Sequence, residues 1–486
     1  KHNVSGLLLF KRQKYTEGSN FATRYEDIVS RLTYNYNSTY FIEANGAYNG
    51  SELFGPGYRR ELFPSLAMGW VISNEKFMKE LHWLDKLKIR ASAGEVGDDN
   101  FIMGRDDLRW MYVSQWTSSN VSVDMNAPGI FALGGQNAGA KSPYTLYLEK
   151  VIANKDLHWE RSVKKDIGFE FSAFKGGITF DFDYFEDNRR DIFMEGSQRS
   201  IPEWFGSSAA PGANLGAVDT KGYEIVLGLK HNFTKNMKAW ADMSYTHAVD
   251  KILAKDDPFL RPSYLKQEGY AIDQTRSAIP GSIMQSWDDI YMSTPLTTGD
   301  DKKRLGYYDV MDFNGDGNFN GSYDNVPWGY PNRPQNTWNV TLGSSYKGIS
   351  LVAQIYAQTN TTRSYVLDSF SQNVGNLYFK ENGDYWSKQN PDGVKTIYPW
   401  RVLAANTEPI RNLYDASMVR LKMVEVAYRF SSASCKKLGV EGLRVFMNGN
   451  NLYLWTKMAD DREYGGGNRG TYPTLKRFNF GFNLDL

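Results

Sequence analysis

The stretch Asp312-Phe-Asn-Gly-Asp-Gly-Asn-Phe-Asn-Gly-Ser-Tyr-Asp324 has the D-x-N-x-D-G spacing that can surround a hard cation with oxygens. Asp312, Asn314 and Asp316 would supply side-chain oxygens, Gly317 the sharp turn, Asn318 a backbone carbonyl, and Asn320 a ligand held directly or through water. Where such loops close with a bidentate Glu, this one has Tyr323, so Asp324 would serve one residue late. The same residues also build Asx turns without a metal. Two readings stand: a structural Ca2+ that stiffens a loop, or a metal-free turn. A second set is aromatic. Trp110, Tyr112, Trp116, Trp204, Phe205, Trp287, Trp328, Tyr330 and Trp386 lie in polar stretches, where flat rings can stack on sugars or pack against one another. Catalytic signals are absent. His2, His82, His158, His231 and His247 are scattered, with no pair spaced to share a metal. The acid pairs Asp98/Asp99 and Asp181/Asp183 alternate with apolar residues in strands and read as a wet wall, and nothing in the sequence sets two carboxylates facing each other as a glycosidase needs, so no enzyme is expected. Cys435 is the sole cysteine, which excludes an internal disulfide and leaves it a bystander.

The elements that position these residues read as strands. In Ile167-Gly-Phe-Glu-Phe-Ser-Ala173 the apolar positions Ile167, Phe169, Phe171 and Ala173 alternate with Gly168, Glu170 and Ser172. After a turn at Phe174-Lys-Gly-Gly177, Ile178, Phe180, Phe182 and Tyr184 alternate with Thr179, Asp181 and Asp183. This is a hairpin with one greasy and one wet face. The last run sets Phe478, Phe480, Phe482, Leu484 and Leu486 against Asn479, Gly481, Asn483 and Asp485. About fourteen such strands are expected, near 2–13, 24–36, 39–51, 63–73, 84–96, 158–173, 177–190, 221–231, 237–250, 336–346, 349–360, 414–430, 440–456 and 473–486, many of them long enough for a tilted membrane strand. Their connections alternate in kind. One set is short, for example Asn37-Ser38 and Lys347-Gly348, and the other runs up to the stretch 251–335. Short turns at one end and long loops at the other is the asymmetry of an outer-membrane β-barrel, with the long loops outside the cell. It brings Leu486 out on the periplasmic side. One connector, Asn74 to Trp83, reads as a short helix with Asn74 as N-cap.

Composition agrees with a wall that has one lipid face and one wet face. The chain is 15% aromatic, yet its mean hydropathy is −0.52. A secreted all-β sugar-binding or sugar-cleaving protein would share that composition. Lys and Arg number 56 against 55 Asp and Glu, so no basic field points to a nucleic acid. No apolar run is long enough for a transmembrane helix, and Lys1-His-Asn-Val4 is not a signal peptide, so the chain is expected to begin mid-protein or after processing. No linker divides it, so residues 1–486 read as one domain, an all-β antiparallel transmembrane barrel portion.

The run Phe63-Pro-Ser-Leu-Ala-Met-Gly-Trp-Val-Ile-Ser-Asn-Glu-Lys-Phe-Met78, then Trp83-Leu-Asp-Lys-Leu-Lys-Ile-Arg-Ala-Ser-Ala-Gly-Glu-Val-Gly-Asp98, resembles the strand–connector–strand signature of the SusC/RagA family. Asp156-Leu-His-Trp-Glu160, Asn214-Leu-Gly-Ala-Val-Asp-Thr-Lys-Gly-Tyr-Glu224, Leu421-Lys-Met-Val-Glu-Val-Ala-Tyr428, Asn448-Gly-Asn-Asn-Leu-Tyr-Leu-Trp-Thr456 and Tyr472-Pro-Thr-Leu-Lys-Arg477 follow in family order. The resemblance implies a 22-stranded TonB-dependent barrel in the outer membrane of a Gram-negative, Bacteroidota-like cell. It further implies an N-terminal plug, a TonB-contacting segment, a SusD-like surface lipoprotein, and a dimer of transporter–lipoprotein pairs. The function implied is import of a large nutrient, an oligosaccharide or a peptide, and the aromatic loops favour the oligosaccharide; the alternative is a non-transporting barrel acting as an assembly or adhesion subunit. Similar Asp-rich loops occur in that family. This chain is expected to supply the C-terminal strands, with the plug, the TonB box and about eight first strands absent. Its edges would then stay open, at a cost of several kcal/mol for each backbone group left unpaired in lipid.

Overall fold

The computed structural model describes residues 1–16, 18, 21–99, 110–119, 146–202, 210–364, 386–391, 413–437, 439–458 and 474–485. The wall begins with β1 (His2–Tyr15), β2 (Thr23–Tyr36), β3 (Tyr40–Ser51), β4 (Arg60–Val71) and β5 (Leu84–Asp98). It continues with β6 (Glu160–Ala173), β7 (Ile178–Met194), β8 (Ala213–Thr234) and β9 (Met237–Ala254). It ends with β10 (Asn336–Tyr346), β11 (Ile349–Thr359), β12 (Met418–Arg429), β13 (Gly442–Thr456) and β14 (Arg477–Asp485). These form one 14-stranded sheet in which every neighbour is the next wall strand in sequence, and pairings such as β1 with β2 and β13 with β14 are antiparallel. Among the described residues β1 pairs only with β2 and β14 only with β13, so the sheet has two open edges. No helix among them is long and apolar enough to cross a membrane.

The register keeps each hydrophobic set on one face. Phe480 lies opposite Met447 and Phe482 opposite Val445; Phe169 lies opposite Phe182 and Ile167 opposite Tyr184. A soluble sheet would bury these residues, yet Phe480 is 76% and Phe482 70% exposed. An apolar face left open across a wall of this length is a lipid face.

The short turns follow from backbone chemistry. Asn37 and Ser38 both take positive φ (53° and 56°), as do Lys347 and Gly348 (46° and 90°), the conformation that two-residue hairpin turns need to match strand twist. The Asn74 to Trp83 connector departs from the expected helix. It consists of two 3-10 turns, Ile72–Asn74 and Lys76–Met78, and no side chain caps either. Asn74 instead donates from Nδ2 to the carbonyl of Ser38 at 2.7 Å, tying this turn to its neighbour. β8 starts at Ala213, well before the alternation becomes visible, because register shifts between Asn214 and Gly216 and between Gly216 and Val218 break the period of two.

The compact apolar packing lies at the long-loop end. Leu53, Phe54, Phe63, Met111, Leu157, Trp159 and Phe193 form a buried cluster. The stretch 251–335, expected as a polar loop, gives its first residues to β9, which runs on to Ala254, and from 255 onward has a core of its own. Ala278, Leu296, Val310 and Phe319 pack together, as do Met284, Tyr307 and Ile290. Short ladders join Arg276–Ser277 to Val326–Pro327 and Pro280–Ile283 to Tyr308–Val310. Cys435 is buried within the short helix Ser432–Lys437.

Candidate wet wall and outer-loop site

Residues on the wet face alternate with the lipid-facing ones, and on β5, β6 and β7 that face is charged. Arg90 of β5 reaches three carboxylates: Asp166 from Nη1 at 3.0 Å, Glu170 from Nε at 3.3 Å, and Asp183 from Nη2 at 2.5 Å. Lys86 and Lys88 add contacts to Glu170 at 2.5 and 2.8 Å. Arg90 pairs with Gly168 across the β5–β6 ladder, and Gly168 with Asp183 across the next. The guanidinium therefore spans a whole strand to meet Asp183. It can do so because Gly168 has no side chain: a Cβ there would strike both Asp183 Oδ1 and Arg90 Nε. Of the acid pair Asp181 and Asp183, Asp183 is ion-paired to Arg90 and Asp181 lies two residues away on the same face of β7.

The recognisable sequence runs turn out to be positional. Trp70 Nε1 donates to Glu75 Oε1 at 3.2 Å, and the Tyr40 hydroxyl donates to the same oxygen at 2.5 Å, fixing the short-turn end. Trp159 packs on Phe54 and Phe63, with ring centroids 5.2 and 5.6 Å apart. Asn214 donates to the carbonyls of His158 (2.9 Å) and Asp191 (2.7 Å) and accepts from the His158 amide, holding β6, β7 and β8 together at their outer ends.

The Asp312–Asp324 loop is closed by its own backbone. Asp312 accepts from the amides of Gly315 and Gly317, each at 2.7 Å. Asn314 accepts from Asp316 N, Asp316 from Asn318 N, and Asn320 from Ser322 N. Asp324, fully buried, accepts from Phe313 N, Asn314 N and Asn320 N. Asp324 thus staples the loop at the position where the calcium reading has it close the ligand set and the metal-free reading has it close a turn, and among the described residues no three or more Asp, Glu, His or Cys side chains gather to hold a metal ion. Tyr264 seals one side. Its hydroxyl donates to Tyr323 O at 2.7 Å, and its phenol is pushed above the usual range by burial first, then by Asp324, Asp312 and Asp316.

The aromatic candidates separate. Trp116 and Trp287 are each 64% exposed, and Trp328 and Tyr330 are exposed on a strip pinned by hydrogen bonds from Gln274 and Thr275. Trp287 opens the helix Trp287–Met292, which Ser286 and Asp289 cap reciprocally. Trp110 is half-buried beside Phe21, with centroids 5.5 Å apart, and the Tyr112 ring lies under Arg59. Trp386 corrects the expectation: at 4% exposure it offers no face for stacking. Trp204 and Phe205 lie outside the described residues. Sequence reasoning missed Arg90, Asn214 and the stapling role of Asp324. Only the placing of Gly168 between two charged strands hinted at the first.

An amphipathic, sequentially paired antiparallel wall with long loops at one end defines an outer-membrane β-barrel. The family described as "TonB dependent receptor-like, beta-barrel" matches residues 19–280, more than half of the chain, and the chain belongs to that family. TonB-dependent receptor P3 of Formosa agariphila is 23% identical over 95% of this chain and 45% of its own length. TonB-dependent receptor SusC of Bacteroides thetaiotaomicron is 27% identical over 50% of this chain and 23% of its own length. The structure of the RagAB peptide transporter superposes with a TM-score of 0.69 at 18% identity, over 95% of this chain and 48% of that one, which is a likeness of fold. The chain spans just under half of the relatives it matches along its full extent. The SusC/RagA resemblance agrees with these findings. The chain is an outer-membrane protein, and the relatives and structures it is similar to are named as receptors and transporters, not as enzymes.

Proposed function

We propose that this chain forms wall and outer loops of a TonB-dependent importer that takes up a large nutrient, an oligosaccharide in preference to a peptide, and works with a SusD-like surface lipoprotein. The observation that carries the reading is the placement of exposed planar rings, Trp116, Trp287, Trp328 and Tyr330, on the long-loop end of a wall whose inner face is charged. Such rings bury the apolar faces of sugars, while polar neighbours take up the hydroxyls. The TonB-dependent receptor SusC and the peptide transporter RagAB are similar to this chain and support import in general. Energy and gating enter through TonB and a plug, neither of which the described wall supplies. The test is growth. A strain lacking the gene is supplied with single polysaccharides or with protein digests as the sole nutrient, and loss of growth on one polysaccharide is expected. Loss on peptides alone would reverse the substrate preference, and unchanged growth on every nutrient would favour an assembly or adhesion role.

A further inference from the structure

On the outward face six strands of the wall change character towards their outer ends. Phe10 precedes Arg12 on β1, Ile28 precedes Glu26 on β2, and Leu62 precedes Arg60 on β4. In the same way Ile167 leads to Lys165 on β6, Tyr184 to Glu186 on β7, and Tyr223 to Lys221 on β8. Each of these pairs is two residues apart and so shares a face. The charged positions are therefore the first outward ones beyond the lipid-facing run, on the long-loop side, at the depth where lipid headgroups begin.

The charges are arranged as two triads. Glu26 is bracketed by Arg12 at 3.2 Å and Arg60 at 2.6 Å; Glu186 is bracketed by Lys165 at 3.9 Å and Lys221 at 3.1 Å. Glu26 pairs with Gly50 and Gly50 with Arg60, so Arg60 crosses a strand to complete its triad. Each triad has one carboxylate for two cations and carries a net positive charge. The acids are set into the wall, with Glu26 33% and Glu186 21% exposed, while the four cations stand out at 55% to 69%.

We propose that these triads bind the phosphate groups of outer-leaflet glycolipid, holding a shell of anionic lipid around the outer rim of the wall. The inference rests on the membrane-spanning fold and its orientation, not on transport. A phosphate has oxygens for both cations of a triad, and the carboxylate between them keeps the pair from separating. Each basic residue near an anionic lipid surface contributes about fivefold to affinity.

The test uses the whole protein, purified from outer membranes and placed in nanodiscs of phosphatidylcholine with or without bis-phosphorylated lipid A, with bound lipid counted by native mass spectrometry. Lipid A is expected to be retained by the wild type. The variant carrying Arg12→Gln, Arg60→Gln, Lys165→Gln and Lys221→Gln should lose retention by at least about tenfold while still migrating as a heat-modifiable barrel. Should that variant fail to fold, Arg12→Gln with Arg60→Gln and Lys165→Gln with Lys221→Gln, made separately, provide the second arm, and each should lose part of the retention. Equal retention by the wild type and any folded variant overturns the proposal. Displacement of lipid A by inorganic phosphate alone overturns the lipid as the source. Nutrient uptake is not read, so failure here leaves the import proposal standing.

Discussion

Arg90 shows how one residue can organise a region of wall. Its three carboxylates come from two strands, and Lys fits the role poorly because a point charge cannot present a fork to Asp166, Glu170 and Asp183 together. Arg90→Lys is expected to recover only part of what Arg90→Ala loses, the latter being about 2 kcal/mol in urea unfolding of the whole protein; full recovery by lysine would mean that charge alone matters. Gly168→Val should cost about 1–3 kcal/mol by the same measurement, because the new side chain enters the path of the bridge. At the Asp312–Asp324 loop the informative reporter is Tyr264. A Ca2+ ion entering the loop would offset the carboxylates that hold its phenol high, and so lower its pKa. The difference in ultraviolet titration between the wild type and Tyr264→Phe, with and without Ca2+, decides the matter, and an unchanged difference removes calcium from the loop. Little of this scale was legible in sequence. The partners of Arg90 lie far from it along the chain, and the loop motif that spells a cation site also spells a run of Asx turns.

Among elements, the outer stretch 255–335 is the least like a loop. Its buried clusters and two small ladders give it reasons to keep its shape apart from the wall. Asp324→Ala removes three buried charge-assisted hydrogen bonds, and limited proteolysis within this stretch should then speed up by at least about tenfold, with wall mobility on gels unchanged. The helix Trp287–Met292 has a pH limit. Hydrogen bonds from the amides of Ser286 and Gln285 hold the Asp289 carboxyl below the usual range. Its capping contribution is therefore complete above the ordinary aspartate pKa and is lost as the pH falls through the depressed value. Amide exchange at Gln285 and Ser286 should accelerate only in that acidic window; acceleration near neutrality would point to another cause. Strand positions were far more legible than loop interiors. Ile167 to Ala173 and Phe478 to Leu484 alternate without fault, whereas the start of β8 was hidden by its bulges and the loop clusters have no period at all.

For the whole molecule, the reading of a wall with a lipid side and a wet side follows from alternation and from the sorting of connections, both visible in the residues. What alternation could not reveal is the depth at which the lipid side ends, which needed the register to place Arg60 beside Glu26 and Lys221 beside Glu186. The open edges at β1 and β14 set the demand that other strands pair there when the wall stands in lipid.

The strictly sequential order of the sheet has a further consequence for how such a wall can be made and cut. Among the described residues each strand of the sheet is paired only with the wall strands before and after it, so the sheet behaves energetically as a one-dimensional array of nearest neighbours. A polypeptide severed within 255–335 would break no wall ladder. The two pieces would still share the eleven matched positions between β9 and β10, from Met237 with Tyr346 to His247 with Asn336, and could be supplied as separate genes that meet along that seam.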